Sequence, residues 1–184
     1  MTLASAPLLA DLRAATRAVP DFPAPGVVFQ DLCGVYLRPA LVRGLANAVA
    51  AAVPGGFDRV LAIDARGFLL GMAVAQVAER PLALARKPGK LPGPVHREAY
   101  DLEYGNDALE VGCDALPPGC RVLAVDDVLA TGGTLAAAVA LTERAGARVA
   151  GLAVILEIAG LGGRDRLAGF PLQALDLVGK DTHG

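Results

Sequence analysis

The sequence predicts one α/β domain, residues 1–184, built on a mostly parallel twisted sheet flanked by helices, with an inserted β-hairpin flap. Three observations carry that expectation. Short apolar runs at 59–63 and 121–125, suited to buried strands, are each followed by a small-residue turn and a helical pattern. Strand-like and helical segments alternate with no internal repeat, low-complexity tract or long linker, which favours βαβ units. The 184 residues, 54% hydrophobic and 20% charged, suffice for one sizeable core and exclude disorder and fibrous repeats.

Each element follows from local signals. Residues 7–18 read as a short amphipathic helix ended by Val19-Pro20, after which Asp21-Phe22-Pro23-Ala24-Pro25-Gly26 must turn or run extended. Pro39 suits the first turn of the next helix, which lines up Leu41, Leu45, Val49 and Val53 and stops at Pro54-Gly55-Gly56. A strand at 59–63 precedes an apolar helix at 67–78, and 81–85 offers a second strand. From Arg121 the pattern repeats as strand 121–125, a Gly/Thr loop, helix 134–145 ended by Gly146, and strand 149–156. Between the halves, Tyr100, Leu102 and Tyr104 alternate with Asp101 and Glu103 before Gly105-Asn106-Asp107, which describes a hairpin within a flexible flap at 91–111.

Composition also excludes classes of function. Seventeen Lys and Arg against nineteen Asp and Glu give a net charge of −2, so no global positive field exists to hold nucleic acid or an anionic membrane. No uncharged apolar run approaches the ~18 residues of a membrane span, and Arg13, the first basic residue, follows the apolar start, so a cytoplasmic protein is expected. Cys33, Cys113 and Cys120 match no zinc or disulfide spacing and read as small buried hydrophobes. His96 and His183 pair with no nucleophile or ligand set and read as surface residues.

Four segments carry chemistry. In residues 122–134, an apolar strand ends in Asp126-Asp127, and Ala130, Thr131, Gly132, Gly133 and Thr134 then open a helix. Bare backbone N–H groups, a helix dipole and two hydroxyls suit a phosphate there. Asp64-Ala65-Arg66-Gly67-Phe68 again ends a strand. Arg66 alone reads as a surface ion-pair partner, but it can also clamp a pyrophosphate. Arg86-Lys87-Pro88-Gly89-Lys90-Leu91-Pro92 holds two of only three lysines in the chain, compact cations for phosphate oxygens. Residues 20–31 form a Pro-rich loop leading into an apolar strand.

Residues 122–134 resemble the phosphoribosyl pyrophosphate (PRPP) signature of the type I phosphoribosyltransferases. Arg66-Gly67, the string from Arg86 to Pro92 and the flap string Leu102-Glu103-Tyr104-Gly105 are similar to those of the adenine phosphoribosyltransferases within that family, and the likeness runs from about residue 19 to 177. The resemblance implies a Mg2+-dependent purine salvage transferase that converts adenine and PRPP to AMP and pyrophosphate. Ala130, Thr131, Gly132, Gly133 and Thr134 would hold the 5'-phosphate, and Asp126 and Asp127 would face the ribose hydroxyls. Arg66, Arg86, Lys87 and Lys90 would meet the pyrophosphate, with Glu103 and Tyr104 brought near the reacting centre by the flap. The N-terminal segment, residues 1–35, would bind the base through Val28, Phe29 and Gln30, with Leu129.

The catalytic group implied is therefore Glu103, Asp126, Asp127 and Arg66, with magnesium held by PRPP and water rather than by side chains alone, in a homodimer. Gln30 stands where Arg is usual, and Cys33-Gly34 replaces a Ser/Thr-Pro. Those departures leave open another purine, xanthine or hypoxanthine, as the base. A non-catalytic PRPP-binding regulatory module is the alternative of a different class, although no helix-turn-helix extension or basic patch accompanies it.

Overall fold

The structure, a computed structural model, describes residues 5–102 and 105–179. Helix α1 (Ala6–Ala15) starts at a Ser5 cap and ends three residues earlier than the sequence pattern suggests. The reason is tertiary: Arg17–Pro20 forms strand β1, which pairs antiparallel with β2 (Val28–Asp31) across the Pro-rich turn. A one-turn helix, α2 (Cys33–Tyr36), which the sequence reading lacks, leads to α3 (Pro39–Ala51), with proline in its first turn and Leu41, Leu45 and Val49 buried.

The main sheet comprises β3 (Arg59–Ile63), β4 (Leu82–Ala85), β7 (Arg121–Val125), β9 (Arg148–Ile158) and β10 (Leu172–Val178), in the order β10-β9-β7-β3-β4, all parallel. A short β8 (Val128–Leu129) adds to β9. The connecting helices are α4 (Gly67–Val77), α5 (Gly133–Arg144) and the single turn α6 (Gly163–Arg166). Strand order runs one way from β3 to β4 and the other way from β7 through β9 to β10. The topological switch point, where open α/β sheets bind ligands beyond the strands' carboxyl ends, therefore lies between β3 and β7.

Strand alternation sorts the core onto both faces of this sheet. Val60, Leu123, Val125, Ala153 and Ile155 pack with Leu12, Leu45, Val49 and Val74 from α1, α3 and α4. Leu61, Ile63, Val122, Ala124, Leu152 and Val154 pack with Leu135, Ala138 and Leu141 of α5.

The inserted hairpin is β5 (Val95–Leu102) with β6 (Gly105–Gly112). Its register pairs Leu102 with Gly105, Asp101 with Asn106 and Tyr100 with Asp107, so Gly105-Asn106-Asp107 belongs to strand β6 rather than to a turn as its chemistry suggests. Its base belongs to the core, because Tyr100, Leu109 and Val111 are buried on the α5 face. Reciprocal backbone bonds tie it to the end of β4, with Arg86 N donating to Glu110 O at 2.8 Å and Glu110 N to Arg86 O at 2.7 Å. The cysteines correct the sequence reading: Cys33 and Cys113 are exposed at the start of α2 and just past β6, and Cys120 is half-buried. No helix among the described residues is long and apolar enough to cross a membrane.

Candidate active site

The carboxyl ends of the strands flanking the switch point carry the charged groups. Asp64 follows β3, Arg86 follows β4, and Asp126 and Asp127 follow β7. Glycine decides how closely the halves approach. A Cβ on Gly67, the first residue of α4, would lie 2.9 Å from both Asp126 Oδ1 and the Val125 carbonyl, so only glycine lets α4 start against β7. Gly132, with φ +78°, caps α5, and a Cβ there would lie 2.9 Å from the Gly163 carbonyl. The loop of residues 130–134 is thus packed on the α6 turn, with Ala130, Thr131 and Thr134 half-buried and Gly132 and Gly133 buried.

Asp126 and Asp127 are buried at the sheet end. Asp126 Oδ1 accepts from the Asp127 backbone N–H at 2.8 Å. Burial, and after it the neighbouring Asp127 charge, holds the Asp126 carboxyl well above the usual carboxylate range. Asp127 Oδ2 lies 2.6 Å from Arg66 Nε and accepts no hydrogen bond among the described residues. The Arg66 guanidinium in turn sits 5.0 Å from the centre of the Phe29 ring, which Phe22 meets edge-on at 5.2 Å. Arg66, Asp127 and Phe29, singled out from three separate segments, therefore stand together.

Each of the other basic residues near the site, apart from Lys90, also meets a carboxylate. Arg86 Nε reaches Asp64 Oδ2 at 3.3 Å, and its guanidinium lies 5.7 Å from the Phe68 ring centre. Lys87 Nζ pairs with Asp107 on β6 and lies 3.4 Å from the Tyr100 hydroxyl, while the Lys87 backbone N–H donates to Asp64 Oδ2 at 3.3 Å. Lys90 is exposed and offers its backbone carbonyl to Arg86 at 3.4 Å. Asp64 and Asp107 escaped the sequence reading: one was part of the strand-end motif without a role, the other a turn residue.

Not every expected residue joins this group. Gln30 is buried, but alternation along β2 turns it from Phe29 toward a separate cavity of about 380 Å³ lined by Arg13, Thr16, Ala18 and Asp176. Leu129 is fully buried among the α5-face core side chains and abuts Gly163. Val28 is half-buried and pairs with Pro20. Glu103 and Tyr104 lie outside the described residues, as do Lys180 and His183. Tyr36, which drew no attention in the sequence, ends α2 with its hydroxyl buried and unpartnered. Among the described residues, no three His, Cys, Asp or Glu side chains stand close enough together to hold a metal ion.

Comparison with known proteins identifies the family. The model of the phosphoribosyl transferase domain matches residues 37–168. The adenine phosphoribosyltransferase of Clavibacter michiganensis is 50% identical over 164 residues, covering 89% of this chain and 93% of that protein. That of Corynebacterium diphtheriae is 50% identical over 176 residues, covering 92% and 96%. Among solved structures, the adenine phosphoribosyltransferase of Rhodothermus marinus superimposes with a TM-score of 0.88 at 42% identity, over 95% of this chain and 100% of that one. The Saccharomyces cerevisiae enzyme, solved with an imino-altritol bisphosphate and adenine, gives 0.87 at 33% identity, over 93% and 99%. The motifs at the sheet switch point, the matched domain and the relatives spanning nearly the whole chain all place this protein in the adenine phosphoribosyltransferase family of phosphoribosyltransferases.

Proposed function

We propose that this chain transfers the phosphoribosyl group of PRPP to adenine, forming AMP and releasing pyrophosphate. The observation that carries the reading is the convergence at one sheet switch point of a glycine-threonine loop opening α5, two buried carboxylates and three cations. The relatives, adenine phosphoribosyltransferases, supply the base. Of the two sequence grounds for another purine, Gln30 and Cys33-Gly34, Gln30 lines a cavity on the side of β2 away from Phe29 and weighs little against adenine.

In this reading the backbone N–H groups of residues 130–134 and the Thr131 and Thr134 hydroxyls bind the 5'-phosphate. Arg66, Arg86, Lys87 and Lys90 receive the leaving pyrophosphate, so Arg66 and Lys87 exchange Asp127 and Asp107 for phosphate oxygens. Release of Arg66 frees Asp127 to accept from a ribose hydroxyl. The anomeric carbon acquires oxocarbenium character as the pyrophosphate leaves, and the negative charge at Asp127 and Glu103 stabilises it. Phe29 and the Val28 backbone receive the base, while the flap at 91–111 excludes water.

Asp126 and Asp127 are the residues toward which PRPP-bound magnesium would face, and Asp127 Oδ2, buried and held in this structure by the Arg66 ion pair, is an acceptor that would suit it once Arg66 turns to the pyrophosphate. Magnesium, when bound, neutralises pyrophosphate charge. We assign a homodimer on the half-exposed Leu69 and Met72, one turn apart on α4 beside Arg66. Three free cysteines suit a reducing cytoplasm.

The test offers purified protein PRPP and magnesium with adenine, hypoxanthine, guanine and xanthine in parallel, and identifies the nucleotide formed. AMP from adenine alone is expected. A different nucleotide overturns the base, and PRPP binding without any product favours the regulatory module.

A further inference from the structure

Lys87, Tyr100 and Asp107 meet at the stem of the inserted hairpin. Lys87 lies two residues beyond β4, Tyr100 is on β5 and Asp107 on β6, where the register sets Tyr100 and Asp107 directly opposite each other. Asp107 Oδ2 is the point they share: Lys87 Nζ forms an ion pair with it, and the Tyr100 hydroxyl donates to it at 3.3 Å. Lys87 Nζ also donates to that hydroxyl at 3.4 Å and lies 5.9 Å from the centre of the Tyr100 ring. The other carboxylate oxygen, Asp107 Oδ1, accepts from the Ala108 backbone N–H at 2.8 Å.

The main chain on either side of Lys87 is fastened to the same strand. Arg86 and Glu110 exchange backbone hydrogen bonds, and the Gly89 N–H donates to the buried Glu110 Oε2 at 2.9 Å. Lys87 therefore has a fixed backbone and a side chain that is two-fifths exposed and free to swing. Asp107, one-fifth exposed, keeps the Tyr100 O–H and the Ala108 N–H as donors when the lysine leaves, so opening the ion pair does not strand the carboxylate. Lys87 exchanges one anion for another, and its affinity for the second is reduced by the fraction of time the first holds it.

Building on the PRPP reading of this site, we propose that Asp107 is a positioning residue that sets how tightly pyrophosphate is held: it keeps Lys87 at the hairpin in the empty site, competes with pyrophosphate for that lysine, and takes it back as the product leaves. Tyr100 holds the carboxylate in place throughout. Asp107 acts through Lys87 and touches no reacting atom.

Asp107→Asn keeps the shape and removes the competing charge. Pyrophosphate binding is measured by calorimetry with magnesium on wild type, Asp107→Asn, Lys87→Ala and the double variant. Asp107→Asn is expected to bind pyrophosphate about fivefold more tightly than wild type, the upper scale of a partly exposed ion pair, with a melting temperature within a few degrees. Damage to the hairpin alone would weaken binding, so the tightening separates the two. Asp107→Ala, which sheds the charge without leaving an amide, should tighten binding to the same extent. In the Lys87→Ala background the gain is expected to vanish, because no lysine is left to compete for. Three results overturn the inference: pyrophosphate affinity of both Asp107 variants within about twofold of wild type, weaker binding by both, or an equal gain with and without Lys87. If wild type binds neither PRPP nor pyrophosphate, the reading of the site falls and the inference with it. Wild-type binding that the Asp107 variants leave unchanged overturns the inference alone.

Discussion

Gly67 lies so close to Asp126 that a Cβ added to the glycine would stand 2.9 Å from the carboxylate's Oδ1. The same atom would meet the Val125 carbonyl at 2.9 Å, so the start of α4 and the end of β7 are fitted to each other by the missing side chain. Since Asp126 Oδ1 also accepts the Asp127 N–H, pressure at Gly67 passes directly to the adjacent carboxylate. Gly67→Ala is expected to cost about 1–3 kcal/mol of stability, the usual scale of overpacking. It should also lower turnover at least tenfold. Urea unfolding and initial rates on one preparation check both.

Arg66 and Asp127 form the ion pair that the chemistry must open, so each is expected to matter more for turnover than for folding. Arg66→Ala and Asp127→Asn should each reduce kcat/KM for PRPP by about 10²–10³, the scale of losing one charge-stabilising group. Arg66 is two-fifths exposed, so its loss should leave the melting temperature within a few degrees of wild type. Near-wild-type rates in both variants would remove them from the site.

The raised Asp126 carboxyl makes a signed prediction. Its folded pKa exceeds its unfolded value, first because of burial, so above the ordinary carboxyl range near 3.9 the folded protein binds more protons than the unfolded chain. This contribution to stability is full below that value and is lost as pH rises through the folded pKa. Asp126→Asn should therefore abolish a decline in stability from about pH 4 upward, and gain most over wild type at neutral pH. Asp58 shifts the opposite way, to about 2 through its bonds to Arg121, so its contribution is lost only as pH falls below the ordinary carboxyl value. Denaturant midpoints of wild type and Asp126→Asn between pH 4 and 8 isolate the difference.

Thr131 sits half-buried in the loop opening α5, with a hydroxyl directed by the proposed function to a phosphate. Thr131→Val keeps the shape and loses the donor. PRPP affinity should fall by about tenfold, while the adenine KM stays unchanged. Calorimetry with PRPP and magnesium reads the first and initial rates the second.

The strands at 59–63 and 121–125 were legible because a buried parallel strand is a short unbroken apolar run, and five residues bounded by turn signals are too few for a buried helix. The Asp126-Asp127 end and the glycine-threonine loop were legible for the same reason, since their place follows from the strand. Residues 17 and 18 were read as helix because strand pairing with Val28–Asp31 is a choice made across the Pro-rich turn, not within the segment. The one-turn α2 and two-residue β8 carry too few residues to show a period. Partner choice among charges was invisible. Nothing local says that Lys87 meets Asp107 or that Arg66 meets Asp127.

The most direct measurement follows AMP and pyrophosphate together after mixing the protein with PRPP and magnesium, with and without adenine. The account predicts equimolar AMP and pyrophosphate, formed only when adenine is present, because leaving-group departure and base attack share one site that excludes water. Pyrophosphate released at the same rate without adenine, or no AMP in its presence, would contradict it.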